Sequence, residues 1–122
     1  MLNLDSHILI HALSGDLARK EKIVLAQSKW CISAIVLWEI AKLNQLGRIT
    51  LDIQSIEFSR ALSQITVIPL SAQICQASTE LDFESDPADE LIAATSVIFN
   101  VPLVTRDKKI LRSKQVPLWS SR

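Results

Sequence analysis

Short apolar runs rich in β-branched residues alternate along this chain with longer stretches in which apolar residues recur every three or four positions. The first pattern suits strands buried in a parallel sheet, and the second suits helices laid on its faces. Strands are predicted near 2–5, 30–33, 65–69, 101–105 and 116–119. Helices are predicted near 6–13, 16–28, 34–46, 52–63, 71–81 and 87–99, with a short helical turn near 108–112. Gly15, Gly47 and Asn100 stand where helices should stop, and Pro69, Pro102 and Pro117 fall at strand ends or starts, where a missing N–H costs least. The expected architecture is an α/β fold, a three-layer α/β/α sandwich around a central parallel sheet. One domain should span residues 1–122, with no internal repeat, low-complexity stretch or linker.

Those elements put four acids at segment ends or turns. Asp5 closes M-L-N-L-D, Glu39 lies inside A-I-V-L-W-E-I, Asp89 lies in D-P-A-D-E-L-I, and Asp107 closes P-L-V-T-R-D. In an open parallel sheet the carboxyl ends of the strands share one edge, so groups that follow different strands can converge there. Asp5 and Asp107 follow strands directly, whereas Glu39 and Asp89 belong to helices that would flank that edge. Each acid also has a purely structural reading. Asp5 and Asp107 could cap the helices behind them, and Asp86, Pro87 and Asp89 together make an acidic helix start. Glu39 falls beside the apolar stripe of Ile35, Val36 and Leu43, where a carboxylate is costly to bury unless Lys42 or another base pairs with it. Convergence changes the physics, because two carboxylates about 4 Å apart repel by roughly 4 kcal/mol at an effective dielectric of about 20. Four clustered acids would splay or partly protonate unless a divalent cation held them. Oxygen ligands without histidine or cysteine favour magnesium or manganese over zinc, and the chemistry such a site supports is phosphodiester hydrolysis.

Composition narrows the picture further. At 122 residues, 48% hydrophobic and with only two glycines, the chain can bury a sizeable core. It has no run of 18 apolar residues, and M-L-N-L-D-S lacks a basic leader, so a cytoplasmic protein is expected. Cys31, in a predicted strand, and Cys75, in a predicted helix, are expected to be reduced and buried. Thirteen bases balance thirteen acids, which is not the profile of an avid nucleic-acid binder, yet the charges are segregated. Residues 80–90 hold six acids and no base, while residues 105–122 hold Arg106, Lys108, Lys109, Arg112, Lys114 and Arg122 against the single acid Asp107. That order suits a cation site beside a rim that tracks phosphates; two solvated faces of opposite sign would read the same way.

Other chemistries find little support. His7 and His11 stand at i, i+4, but Ile8 occupies the place where a zinc-protease helix would carry its glutamate. There is no Gly-rich phosphate loop and no G-x-S-x-G elbow. A haloacid-dehalogenase-type phosphatase would want aspartate at His7, and a response-regulator receiver would want a phosphoacceptor where the third strand ends in I-P-L-S.

Five segments recur in one family's order: L-D-S-H-I-L-I-H-A-L, S-A-I-V-L-W-E-I-A-K-L-N-Q-L-G-R-I-T-L, S-D-P-A-D-E-L-I-A-A-T-S, V-P-L-V-T-R-D-K-K-I and V-P-L-W. Through them the chain resembles PIN-domain ribonucleases, in particular the VapC-type toxins of VapBC toxin–antitoxin pairs, over nearly its whole length. The resemblance implies a PIN-like sandwich and a Mg2+- or Mn2+-dependent endoribonuclease. By it Asp5, Glu39, Asp89 and Asp107 fall on the family's metal-binding acids, and Ser6 and Thr105 on hydroxyl positions beside them. It also implies an RNA substrate, a cognate antitoxin protein as partner, and a homodimer. Many relatives carry arginine where this chain has Glu90, and a basic or histidine-containing lead-in where it has F-E-S before Asp86. The rim beside Asp89 is therefore more negative, and RNA binding is expected to fall to Arg106, Lys108, Lys109 and Arg112. The predicted 34–46 helix supports a protein partner independently, because Ile35, Val36, Leu37, Trp38, Ile40, Ala41, Leu43 and Leu46 leave it almost no polar face, though complete burial inside the monomer would read the same way. Two other readings stay open: a catalytically silent module that binds protein or RNA, and a nuclease acting on single-stranded DNA.

Overall fold

A computed structural model describes residues 1–120, so Arg122 of the basic tail lies outside the described residues. The elements run β1 (Leu2–Leu4), α1 (Ser6–Ser14), α2 (Arg19–Ala26), β2 (Trp30–Ser33), α3 (Ala34–Gln45), α4 (Ile56–Leu62), β3 (Ile65–Ile68), α5 (Ala72–Ser78), α6 (Pro87–Phe99), β4 (Leu103–Val104) and α7 (Lys108–Leu111). The strands form one sheet in the order β3-β2-β1-β4, and every pairing is parallel. Helices flank the sheet, giving the expected α/β/α sandwich. None is long and apolar enough to cross a membrane.

The two faces follow from the pleat. Asn3 and Cys31 are register partners and so point to the same side. On that side Asn3 Nδ2 donates to the Ile92 carbonyl (3.2 Å) and to Ser96 Oγ (2.9 Å), tying β1 to α6. Cys31 clusters there with Ile68, Ile74 and Ala94, which seats α5 and α6 on this face. Leu2, Leu4 and Ile32 fall on the opposite side, within the larger cluster that includes Ile8, Leu9, Val36 and Ile40. Full burial of Leu4, Ile8, Ile32, Ile40, Ile92 and Val104 makes this the stable centre of the molecule.

Five elements differ from the sequence expectation in their boundaries. The helix expected from residue 16 begins at Arg19, where Glu21 folds back so that its Oε1 accepts from Ala18 N at 2.9 Å. The helix expected from residue 52 begins at Ile56, because Asp52 Oδ1 accepts from Gln54 N to close a turn and Ser55 caps Phe58 N. The strand expected at 101–105 shortens to Leu103–Val104, and that at 116–119 reduces to a single bridge from Leu103 to Leu118, flanked by Pro117, which has no N–H to extend a ladder. α5 stops at Ser78, and its inward position is taken by Ile74, so Cys75 is exposed rather than buried. Cys31 is buried as expected, and burial pushes its thiol up to about 11, leaving it unreactive at neutral pH.

The connection pattern positions the site. The chain lays down β1, β2 and β3 in one direction, then returns through α5 and α6 to place β4 on the far side of β1. The crevice at such a reversal lies at the carboxyl ends of the strands, between the segments that leave β1 and β4. Asp5 and the Thr105–Asp107 segment are those two exits.

Candidate metal centre

Asp5 leaves β1 and caps α1, and both of its carboxylate oxygens are held. Oδ1 accepts from Ser6 N at 2.8 Å, and Oδ2 accepts from Thr105 Oγ1 at 2.6 Å. Thr105 Oγ1 accepts in turn from Asp107 N at 3.0 Å, so the β4 exit fixes the orientation of an acid that leaves β1. Ser6, also buried, donates its hydroxyl to Glu39 Oε1 on α3. Asp89 sits in the first turn of α6 and accepts from Ser85 Oγ at 3.1 Å. The result brings one oxygen each from Asp5, Glu39 and Asp89 within 4.8 Å of one another.

Asp107, the fourth expected acid, stands at the edge of this group. Its Oδ1 caps α7, accepting from Lys109 N (2.8 Å) and Ile110 N (3.2 Å), which matches the capping reading. Its charge nevertheless reaches the others, contributing to the upward shifts of both Asp5 and Asp89. With Ser85, Asp86, Asp89, Lys108 and Lys109 it lines a cavity of about 330 Å³ beside the three clustered acids.

The electrostatics are those of acids gathered without enough counter-charge. Burial is the main cause that raises Asp5 and Glu39 above the usual carboxylate range. Asp89 is pushed up to about 6, by burial first and then by the charges of Asp5 and Glu39. Lys42, the base closest to Glu39 along α3, donates to Gln45 Oε1 at 2.8 Å, so the salt bridge considered for Glu39 is not made. Oxygen ligands around a magnesium-sized ion stand up to about 4.2 Å apart. The three acids are therefore a small side-chain adjustment from sharing one, and their all-oxygen donor set fits a hard divalent cation. His7 is exposed and His11 only half-buried, and neither joins a metal-ligating group among the described residues.

Arg106, expected among the RNA contacts, is also engaged within the protein. Its Nε donates to Glu21 Oε2 (3.0 Å) and its Nη2 to Glu21 Oε1 (2.6 Å), a two-pronged ion pair between the β4 exit and α2. Lys108, Lys109 and Arg112 are exposed, as a phosphate rim requires. Two supporting residues escaped the sequence reading. Ser85 carried a weak signal, since it stands four residues before Asp89, and its N–H also donates to Glu90 Oε2 at 3.2 Å. Glu90 is therefore partly occupied in closing the start of α6 rather than standing free on the rim. Glu21 carried no signal, because its partner lies 85 positions away in sequence. Asp86 occupies the N-cap position of α6, with Pro87 behind it, but makes no capping hydrogen bond with its side chain.

The family model described as PIN domain matches residues 3–115 of the chain. Among solved structures, a toxin–antitoxin complex from Klebsiella pneumoniae superposes with a TM-score of 0.74 at 22% identity, covering 100% of this chain and 98% of that one. VapBC2 from Rickettsia felis, bound to a DNA fragment from its promoter, gives 0.73 at 23% identity, covering 98% of each chain. FitAcB from Neisseria gonorrhoeae gives 0.72 at 18% identity, covering 99% of this chain and 98% of that one. At such identities these likenesses establish the fold. A search of curated protein sequences gave no match.

Proposed function

The chain belongs to the PIN-domain family, and from that premise we propose that it is a Mg2+- or Mn2+-dependent endoribonuclease that acts as the toxin of a toxin–antitoxin pair. The observation that carries this reading is the gathering of Asp5, Glu39 and Asp89 within 4.8 Å, held in place by hydroxyl and backbone donors and by no base. A protein gains nothing in stability from such a cluster, so its persistence argues for a cation.

When bound, a divalent ion supplies Lewis-acid polarisation of a phosphoryl oxygen and lowers the pKa of water. Asp5, Glu39 and Asp89 would hold it, and Asp107 adds negative charge at the edge. Thr105 and Ser6 keep the Asp5 and Glu39 oxygens turned inward, so that little reorganisation is needed at the moment of binding. Lys108 and Lys109, across the cavity from Asp86 and Asp89, would attract the RNA backbone, with Arg112 further along α7. The partner reading draws on the Klebsiella and Rickettsia structures, which are toxin–antitoxin assemblies. Trp38 on α3 and Leu46 at its C-cap are 56% and 57% exposed, a suitable surface for an antitoxin or for a second copy.

The test is cleavage of a structured RNA and of a matched single-stranded DNA by purified protein in Mg2+, in Mn2+ and in EDTA, with Asp5→Asn in parallel. RNA cut only by the wild type and only with metal is the expected result. Cleavage confined to DNA would replace the substrate, and no divalent-ion binding at all would leave a silent binding module.

A further inference from the structure

A cleft of about 750 Å³ neighbours the acid site, and it falls within the roughly 300–1,000 Å³ range of small-ligand sites. Arg19 and Glu21 line it from the start of α2, Thr105 and Arg106 from the β4 exit, and Leu111 and Trp119 from the C-terminal segment. Thr105 belongs to both places: its hydroxyl holds Asp5, and it forms part of the cleft wall. We propose that this cleft receives one unpaired nucleotide of the RNA next to the scissile phosphate, its base stacked on Trp119 and its phosphate met by Arg19 and Arg106. This rests on the nuclease reading above and deepens it by adding a nucleotide subsite beside the acids, walled by Trp119 and Arg106.

Three features of the cleft carry the inference. Trp119 is set on a fixed backbone, because Trp119 N donates to the Leu103 carbonyl at 3.0 Å and Leu103 N donates to the Pro117 carbonyl at 2.9 Å. Trp119 is only partly buried and lines the cleft together with the 45%-exposed Leu111, which supplies the aromatic and apolar lining on which a base can stack. Glu21 takes two of the five N–H donors of Arg106, and the Arg106 side chain remains 43% exposed. The clamp thus pre-orients a guanidinium that still has donors for a phosphate, which makes Glu21 a positioning residue. Finally, a base enters such a cleft only when it is splayed from its neighbours, which a loop or single strand allows and an A-form duplex does not.

The decisive measurement uses a short single-stranded RNA carrying 5-bromouridine, photocrosslinked to the wild-type protein in EDTA and mapped by mass spectrometry. The adduct is expected on Trp119. Adducts confined to 84–90 or 108–112, or no adduct at Trp119, overturn the proposal and leave the cleft to a protein segment. Equilibrium binding of the same strand should fall about tenfold in Trp119→Ala, stay near wild type in Trp119→Phe and be unchanged in Ile56→Ala, an exposed apolar position away from the cleft, with weaker binding of the duplex form throughout. A folded Trp119→Ala that binds the single strand as well as wild type also overturns it; should that variant not fold, the crosslink decides alone. Metal-dependent cleavage assayed in parallel separates the two readings. RNA cut without an adduct at Trp119 sinks the cleft and spares the nuclease, whereas an adduct at Trp119 without any cleavage does the reverse.

Discussion

Neutralising Asp89 should stabilise the metal-free protein while destroying its response to metal. Asp89 has carboxylate neighbours in Asp5 and Glu39 within 4.8 Å, and among the described residues no base forms an ion pair with it. Full charges at that separation repel by about 3.5 kcal/mol at an effective dielectric of about 20. Independently, a carboxyl pushed from 3.8 to about 6 carries a penalty of roughly 3 kcal/mol when ionised. Asp89 is only half-buried, so solvent screening reduces either figure to about 1–1.5 kcal/mol. In Asp89→Asn the amide oxygen can still accept from Ser85 Oγ, so the charge is removed and the hydrogen bond is kept. For a domain of this size the gain corresponds to about 4–6 °C in Tm at pH 7 in EDTA. The sign follows from linkage: between pH 3.8 and about 6 the folded state binds more protons than the unfolded chain, so this group makes the wild type less stable as pH rises through that window. The advantage of Asp89→Asn should therefore be complete above pH 6 and vanish near pH 4. Adding Mg2+ or Mn2+ should raise the wild-type Tm and leave the variant almost unmoved. A folded variant that melts at or below the wild type at pH 7 in EDTA would refute the claim that these acids repel one another.

The same electrostatics make divalent binding depend on pH: with Asp89 titrating at about 6, Mn2+ affinity measured by calorimetry should rise about tenfold from pH 5 to pH 7, and a flat profile would exclude Asp89 from the ligand set. Ser6→Ala frees Glu39 from its hydroxyl donor and should weaken Mn2+ binding by about tenfold with little change in fold, since lost outer-shell partners typically cost metal affinity on that scale. Asn100 ends α6 at φ 53, so Asn100→Gly should be neutral and Asn100→Ala should cost about 1 kcal/mol in urea denaturation; equal stabilities would remove the left-handed cap as the reason for asparagine there.

Much of this architecture was legible because local rules and tertiary demands agreed. β2 matched its apolar run, and α3 and α6 ended within a residue of expectation, where chain-stop residues coincided with the end of an apolar stripe. The errors fell where a side chain competed for the backbone: Glu21 and Ser55 each set a helix start that periodicity alone placed three or four residues too early. The sheet edge was over-read for a related reason, since Val116 and Leu118 carry strand-like side chains while Pro117 between them cannot donate to a ladder.

The site divides along the same line. Residue type and position at segment ends singled out Asp5, Glu39, Asp89 and Asp107, and at Glu39 a carboxylate beside an apolar stripe called for a compensating partner. What one strand of text could not reveal is the second tier of contacts: Thr105 to Asp5 and Arg106 to Glu21, made across the topological reversal, and Ser85 to Asp89 within its own turn. Arg106 is the instructive case. Counted along the chain it belongs to a basic run that should track phosphates, but the reversal that sets β4 beside β1 also brings α2 against it, and Glu21 fixes its guanidinium. A mobile surface cation would add only a diffuse, salt-sensitive attraction. On the proposed nuclease reading, a clamped guanidinium with donors to spare, at the wall of a cleft that shares Thr105 with the acid cluster, would fix where along an RNA the backbone meets the carboxylates.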